Sequence, residues 1–138
     1  MSPLALISVS DKTNIIDFSK VLVEEFDYKI LSSGGTAQHL IDANIPVIKV
    51  SKFTNSPEIL EGRVKTLHPK IHGGILAKRS NKIHLNDIEK NNIDLIDLVV
   101  VNLYPFQQKI EANCNYEEAI ENIDIGGPSM IRLSLIHI

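Results

Sequence analysis

Apolar and polar positions alternate along the chain in two different periods. "LALISV", from Leu4 to Val9, is a short and nearly continuous apolar run, the pattern of a strand buried on both faces. Beyond it Ile15, Phe18, Leu22 and Phe26 recur at spacings of three and four, which predicts the buried stripe of a helix. "YKILSS" predicts a second strand, ended by Gly34 and Gly35. A short helix is expected to start near Thr36, with Ala37, Leu40 and Ile41 on one side. Asn44 and Pro46 close it. "PVIKV" then predicts a third strand, its proline at the first position, where a missing N–H matters least.

From Ser51 to about Ala77 the periodicity lapses. A segment of that length inside a compact domain is usually functional or disordered, and the apolar residues Leu60, Val64, Leu67 and Ile75 argue against disorder. "IHLNDIEKNNI" predicts a surface helix and "DLIDLVVVNLYP" the strongest strand of the chain, stopped by Pro105. "YEEAIENI" predicts a further helix. "DIGGPS" leads into a final helical stretch. Strands alternating with helices imply βαβ units, hence one α/β domain with a central parallel sheet covered by helices on both faces.

Composition narrows the classes of function. The 138 residues are 43% hydrophobic and 22% charged, enough for one globular core. A formal charge of −3 gives no reason to expect nucleic-acid or membrane-surface binding. The single cysteine, Cys114, has no CxxC partner and suits a reducing compartment. "LVVV" is far too short to span a bilayer, and the N-terminus lacks the basic start and apolar stretch of a signal peptide, so the expectation is a cytoplasmic protein.

In such folds ligands bind outside the carboxyl ends of the strands. Ser10 and Lys12 follow the first strand. Ser33, Gly34, Gly35 and Thr36 follow the second, and Asn102 and Tyr104 follow the strongest. "SSGGTA" fits a monophosphate site, because glycines let the backbone approach a ligand and a helix N-terminus offers unpaired N–H groups. It also fits a plain turn with Thr36 as helix cap. Lys12 and Arg63 shift the balance, since a dianion needs compensating charge. Without GxGxxG or GxxxxGK[ST], neither a dinucleotide site nor an ATP P-loop is expected. His68 and His72 are four apart, but Pro69 lies between them and no HExxH exists, so no metal site is expected. Lys65, Tyr104 and Asp124 could each move or steady a proton. Each also has a plainer reading: an exposed lysine, a ring packed on Pro105, and a helix cap.

"SVSDKT", "SSGGTA", "EGRVKTLHPKIHGGIL", "VVVNLYPF" and "IDIGGPSMIR" together resemble one known family. It is the N-terminal, methylglyoxal-synthase-like domain of the bifunctional purine-biosynthesis enzymes that join AICAR formyltransferase to inosine monophosphate cyclohydrolase. The resemblance runs from about Leu4 to Arg132. It implies a cyclohydrolase domain over residues 1–132, incomplete at its carboxyl end, followed by a departing tail at 133–138 and lacking the formyltransferase domain. The implied reaction closes the ring of 5-formamidoimidazole-4-carboxamide ribonucleotide to inosine monophosphate and water. No cofactor serves that step; folate would serve only the formyltransferase. By the same resemblance Ser10, Lys12, Ser33, Gly34, Gly35, Thr36, Arg63 and Thr66 hold the phosphate. Lys65 stands at the reacting end, and Tyr104 and Asp124 serve proton transfer or orientation. The amides of Ile125 and Gly126 steady an oxyanion, and Asn102 lines the base pocket. The partner is a purine ribonucleoside monophosphate, with neither nucleic acid nor membrane, and the parent enzyme is a homodimer. Two positions depart from the family. Asn14 replaces a glycine, and Ile136 stands where the family carries a catalytic lysine, so impaired ring closure is expected. The competing expectation is a regulatory nucleotide- or phosphate-binding module of the same fold.

Overall fold

The computed structural model describes residues 2–137. Four strands, β1 (Leu4–Ser8), β2 (Lys29–Ser32), β3 (Val47–Lys49) and β4 (Leu98–Val101), form one parallel sheet in the order β3-β2-β1-β4. Parallel neighbours require crossovers. Helix α1 (Ile15–Glu24) supplies the first and α2 (Gly34–Asp42) the second. The long return from β3 to β4 carries α3 (Val50–Thr54), α4 (Pro69–Leu76) and α5 (Lys82–Lys90). Beyond β4 come α6 (Phe106–Glu111), α7 (Tyr116–Glu121), α8 (Gly126–Ser134) and a 3-10 turn at Leu135–His137.

The alternation of β1 decides the layers. Ala5 and Ile7 face one side and pack with Ile15, Leu22, Ile30, Leu40 and Ile45, beneath α1 and α2. Leu4 and Leu6 face the other, with Leu31, Val50, Ile71, Ile75, Ile96 and Met130, beneath α3, α4 and α8. Leu6, Ile7, Ile30 and Leu31 are wholly buried. Each such side chain contributes about 1.5–3 kcal/mol relative to an exposed one. The expected α/β fold with helices on both faces is therefore present.

Several local expectations need correction. The buried stripe of α1 is Ile15, Ser19 and Leu22, whereas Phe18 is 44% and Phe26 59% exposed. Phe26 lies past the end of the helix, and the residue facing the sheet between Ile15 and Leu22 is a small serine. The segment from Ser51 to Ala77 is less irregular than its pattern suggests. It contains the end of α3 and the whole of α4, whose N-cap His68 accepts a hydrogen bond from Lys70 N–H through Nδ1 at 3.1 Å, with Pro69 opening the helix. Gly73 and Gly74 are interior helical residues, and a Cβ on Gly74 would stand 2.6 Å from the Asp94 carbonyl oxygen. Glycine lets α4 touch that backbone. Helix α6 was not anticipated at all, since "FQQKIE" has no buried residue to mark it. Finally, β4 is an edge strand, half-buried at every position, despite its strong apolar run.

Asn14 adopts φ 59°, the left-handed region, at the start of α1. Asparagine is the residue that best tolerates this conformation after glycine, so the Gly-to-Asn departure has a benign backbone explanation.

Candidate functional site

A cavity of about 480 Å³ opens at the carboxyl ends of β1, β2 and β4. It sits where the strand order reverses, with β2 and β3 to one side of β1 and β4 to the other. Every residue that the resemblance assigns to the phosphate, the base or the reacting groups lines it except Gly34: Ser10, Lys12, Ser33, Gly35, Thr36, Arg63, Lys65, Thr66, Asn102, Tyr104, Asp124, Ile125 and Gly126. Gly34 stands immediately beside it at φ +53°, a conformation that favours glycine, and a Cβ there would meet Lys65 Nζ at 3.0 Å.

The β2–α2 junction forms one wall. The first turn of α2 leaves backbone N–H groups without helical acceptors, beside the positive end of the helix dipole. Ser33, in the N-cap position, is buried, and its Oγ has no hydrogen-bond partner. A buried hydroxyl normally finds a partner, so this one is an open valence on the cavity wall. Lys12 Nζ lies 3.2 Å from the Ser10 carbonyl oxygen and 4.0 Å from the Cβ position of Gly35. The ammonium groups of Lys12 and Lys65 thus flank the same glycine turn. The Thr36 hydroxyl has a different task. It donates to the Val9 carbonyl at 2.9 Å and accepts from Val9 N–H at 3.1 Å, fastening α2 to the end of β1.

Asn102 is similarly committed. Its Oδ1 accepts from Ser10 N–H at 2.6 Å and Asp11 N–H at 3.0 Å, while Nδ2 donates to the Asp11 carbonyl at 2.8 Å. It shapes the β1–α1 loop at the cavity edge with every polar atom used. In that loop Asp11 is held below the usual carboxylate range by hydrogen bonds from the Thr13 hydroxyl and N–H.

The opposite wall is the start of α8. Asp124 accepts from Gly127 N–H at 3.0 Å and from Tyr104 N–H at 3.4 Å. It caps the helix and holds the strand-end residue Tyr104 against it. A Cβ on Gly126 would meet the Thr66 hydroxyl oxygen at 2.8 Å. Glycine is needed there so that the "GRVKT" loop and α8 can close on one another.

Arg63 presents a finding that spacing could not supply. Its Nη2 and Nε donate to the two carboxylate oxygens of Glu121 at 2.7 and 3.2 Å, and Nη1 lies 3.8 Å from Glu61. The hydrogen bond from Glu121 raises the guanidinium pKa further. The cation expected to be free for a ligand already holds a carboxylate. Gly127, in the same "IDIGG" motif as Gly126, also lines the cavity, and Ser8, Val9, Glu61, Gly62, Ile120, Glu121, Ile123 and Met130 line it and were missed. Glu61 and Gly62 adjoin Arg63 in the same motif. Nothing in "YEEAIENI" distinguished Glu121 from its neighbours. Ile136 is 39% exposed on the terminal 3-10 turn and does not line the cavity. Elsewhere, burial lowers the pKa of His72, with His68 adding a smaller contribution.

These features define an α/β domain with a polar cavity at the carboxyl ends of its parallel strands. The chain belongs to the MGS-like domain family, which matches residues 14–129. Over 132 residues it is 74% identical to the bifunctional purine biosynthesis protein PurH of Prochlorococcus marinus strain MIT 9301, covering 96% of this chain and 26% of that protein. PurH of strain NATL1A is 62% identical over 133 residues, with the same coverage of 96% and 26%. The chain therefore spans about a quarter of the length of the curated relatives it matches. Among solved structures, the crystal structure of ForH aligns with a TM-score of 0.81 at 34% identity, over 99% of this chain and 70% of that one. No helix among the described residues is long and apolar enough to cross a membrane.

Proposed function

We propose that the cavity binds a purine ribonucleoside monophosphate and serves the inosine monophosphate cyclohydrolase step of purine biosynthesis in the cytoplasm. The observation that carries this reading is the β2–α2 wall. An unpartnered buried Ser33 hydroxyl, a helix N-terminus opened by Gly34 and Gly35, and two flanking ammonium groups suit a phosphate dianion. A cavity of about 480 Å³ leaves room beyond the phosphate for a ribose and base. The similarity to the purine biosynthesis protein PurH supports a purine nucleotide as the ligand.

In this reading the phosphate sits against Ser33, Gly35, Lys12 and Lys65, with the Arg63 guanidinium in the same cavity as a further phosphate ligand, and the base extends toward Tyr104 and α8. Ring closure joins the carboxamide nitrogen to the formyl carbon, giving a carbinolamine that then loses water. A weak amide nucleophile and a developing oxyanion both call for well-placed donors. The N–H groups of Ile125 and Gly126, at the start of α8, are such donors. Asp124 fixes them by capping the helix and fixes Tyr104 through its backbone, so its first contribution is orientation. Lys65 lies nearer the glycine turn than a purely base-directed role requires, and its ammonium neutralises the phosphate as well. No metal or redox group enters any of these steps.

A second reading is nucleotide binding without turnover. Ile136, at the position of the family's lysine, favours it, because isoleucine offers neither charge nor proton. One set of measurements separates the two. Thermal unfolding with inosine monophosphate at about a hundred times its dissociation constant should add about 2.7 kcal/mol, a rise of several degrees, with ribose 5-phosphate giving less. Stabilisation together with consumption of the formamido substrate supports cyclohydrolase activity; stabilisation without it supports the binding module. No stabilisation by any phosphorylated ligand would refute both.

A further inference from the structure

The Arg63–Glu121 contact does more than pair two surface charges. Both side chains line the cavity, and the carboxylate takes the Nε/Nη2 edge of the guanidinium in a two-pronged arrangement, at 3.2 and 2.7 Å. That edge is the one a phosphate would use. The cavity wall carries three cations, Lys12, Arg63 and Lys65, against three carboxylates, Glu61, Glu121 and Asp124. An entering dianion finds no uncompensated charge unless a carboxylate withdraws. Asp124 is held by two backbone N–H groups, and Glu61 touches Arg63 only at 3.8 Å. Glu121 is the carboxylate that can be exchanged.

The second observation concerns what Glu121 is attached to. Helices α6 and α7 contain no buried residue, and Tyr116 is 80% exposed. Among the described residues, the hydrogen bonds made by 105–122 stay within that segment or its immediate flanks, with one exception, the pair from Arg63 to Glu121. The capping box at Asn115 and Glu118 holds α7 together internally and does nothing to dock it. The Arg63–Glu121 fork is thus the polar fastening of the α6–α7 segment to the body of the domain.

We propose that Glu121 is an internal ligand of Arg63 that stands in for the substrate's phosphate, so that an entering phosphate exchanges with it and unfastens α6–α7 from the cavity mouth. The proposal rests on the phosphate-site reading above. It makes Glu121 a positioning residue and a determinant of anion affinity. Because the pair is exposed, its competition is modest: removing the carboxylate should tighten phosphate binding about two- to fivefold.

The test titrates ribose 5-phosphate into the 138-residue chain, following both affinity and amide hydrogen exchange in α6 and α7. Glu121→Gln should bind about two- to fivefold tighter than the unmodified chain. Glu117→Gln removes the same charge from the same helix but lies outside the cavity, and should bind as the unmodified chain does. In an Arg63→Ala background, Glu121→Gln should bring no gain, since the residue it competes for is gone. Ligand should speed exchange in α6 and α7 of the unmodified chain, and Glu121→Gln should show fast exchange before ligand is added. Equal affinity of Glu121→Gln and the unmodified chain would overturn the exchange while leaving the phosphate site standing. So would a gain that persists without Arg63, or slower exchange in α6 and α7 on binding. An absence of ribose 5-phosphate binding in every variant would overturn the phosphate site, and the exchange with it.

Discussion

Replacing Gly74 by alanine isolates the contact that lets α4 cover the sheet. In an exposed helix interior, glycine to alanine stabilises by about 1 kcal/mol, because the unfolded chain has less freedom to lose. At Gly74 the added methyl would stand 2.6 Å from the Asp94 carbonyl oxygen and 3.2 Å from Ile96 Cγ1. The helix cannot simply shift aside. Ile96 N–H donates to the Gly74 carbonyl at 3.0 Å, and Ile71 and Ile75 anchor the same face in the core. Overpacking of this kind costs about 1–3 kcal/mol, and contact with backbone belongs at the upper end. After the propensity gain, a net loss of about 2 kcal/mol is expected. Gly73 is the internal control. A Cβ there meets only the Ile93 side chain, closely at the rotatable Cδ1 tip, 3.2 Å away, and at ordinary van der Waals distance from Cγ2, 3.7 Å away. Gly73→Ala should therefore lie within about 0.5 kcal/mol of the unmodified chain or above it. Urea denaturation with a common m-value measures both. A thermal midpoint should fall by about 8 °C for Gly74→Ala, at about 4 °C per kcal/mol for a domain of this size. If Gly74→Ala proves as stable as Gly73→Ala, then close approach is not why glycine occupies that position.

Two further outcomes follow from particular atoms. Ser33→Ala deletes a buried hydroxyl without a partner, so the fold should lose nothing in denaturation, yet ribose 5-phosphate should bind about tenfold more weakly, as for loss of a hydrogen bond to a charged group; unchanged binding would remove Ser33 from the site. His72 has a pKa lowered by burial, so the unfolded chain binds the proton more readily. Its contribution to stability is present above the unfolded pKa of about 6.5 and lost as pH falls from there through the lower folded pKa. Denaturation midpoints should decline as pH falls below about 6.5, and His72→Gln should flatten that decline; an identical slope in both would contradict the assignment.

Much of this molecule was legible in the order of its residues. The periods of β1, β2, α2 and α5 are local properties; β1, β2 and α2 appear within about two residues of their expected spans, and α5 ends at Lys90, short of Ile93. The strand-end motifs named the cavity residues because a parallel sheet sends all its carboxyl ends to one rim. What the pattern could not carry was non-local. Phe18 and Phe26 fit a helical stripe, but α1 stops at Glu24 and turns Ser19 rather than Phe18 toward the sheet. Gly73 and Gly74 fall in the stretch where periodicity lapses because glycine signals flexibility and close approach alike, and for Gly74 only the position of the Asp94 carbonyl distinguishes them. β4 has the strongest apolar run of the strands and lies at an edge, since pairing order is set by crossovers rather than by composition. Asn102 and Thr36 were recognised as cavity residues, but their polar atoms are spent on Asp11 and Val9. Arg63 was recognised as a cation; that its counter-ion is Glu121, on a helix with no buried face, was decided by the tertiary structure, because a charge pair fifty-eight residues apart leaves no period in the sequence.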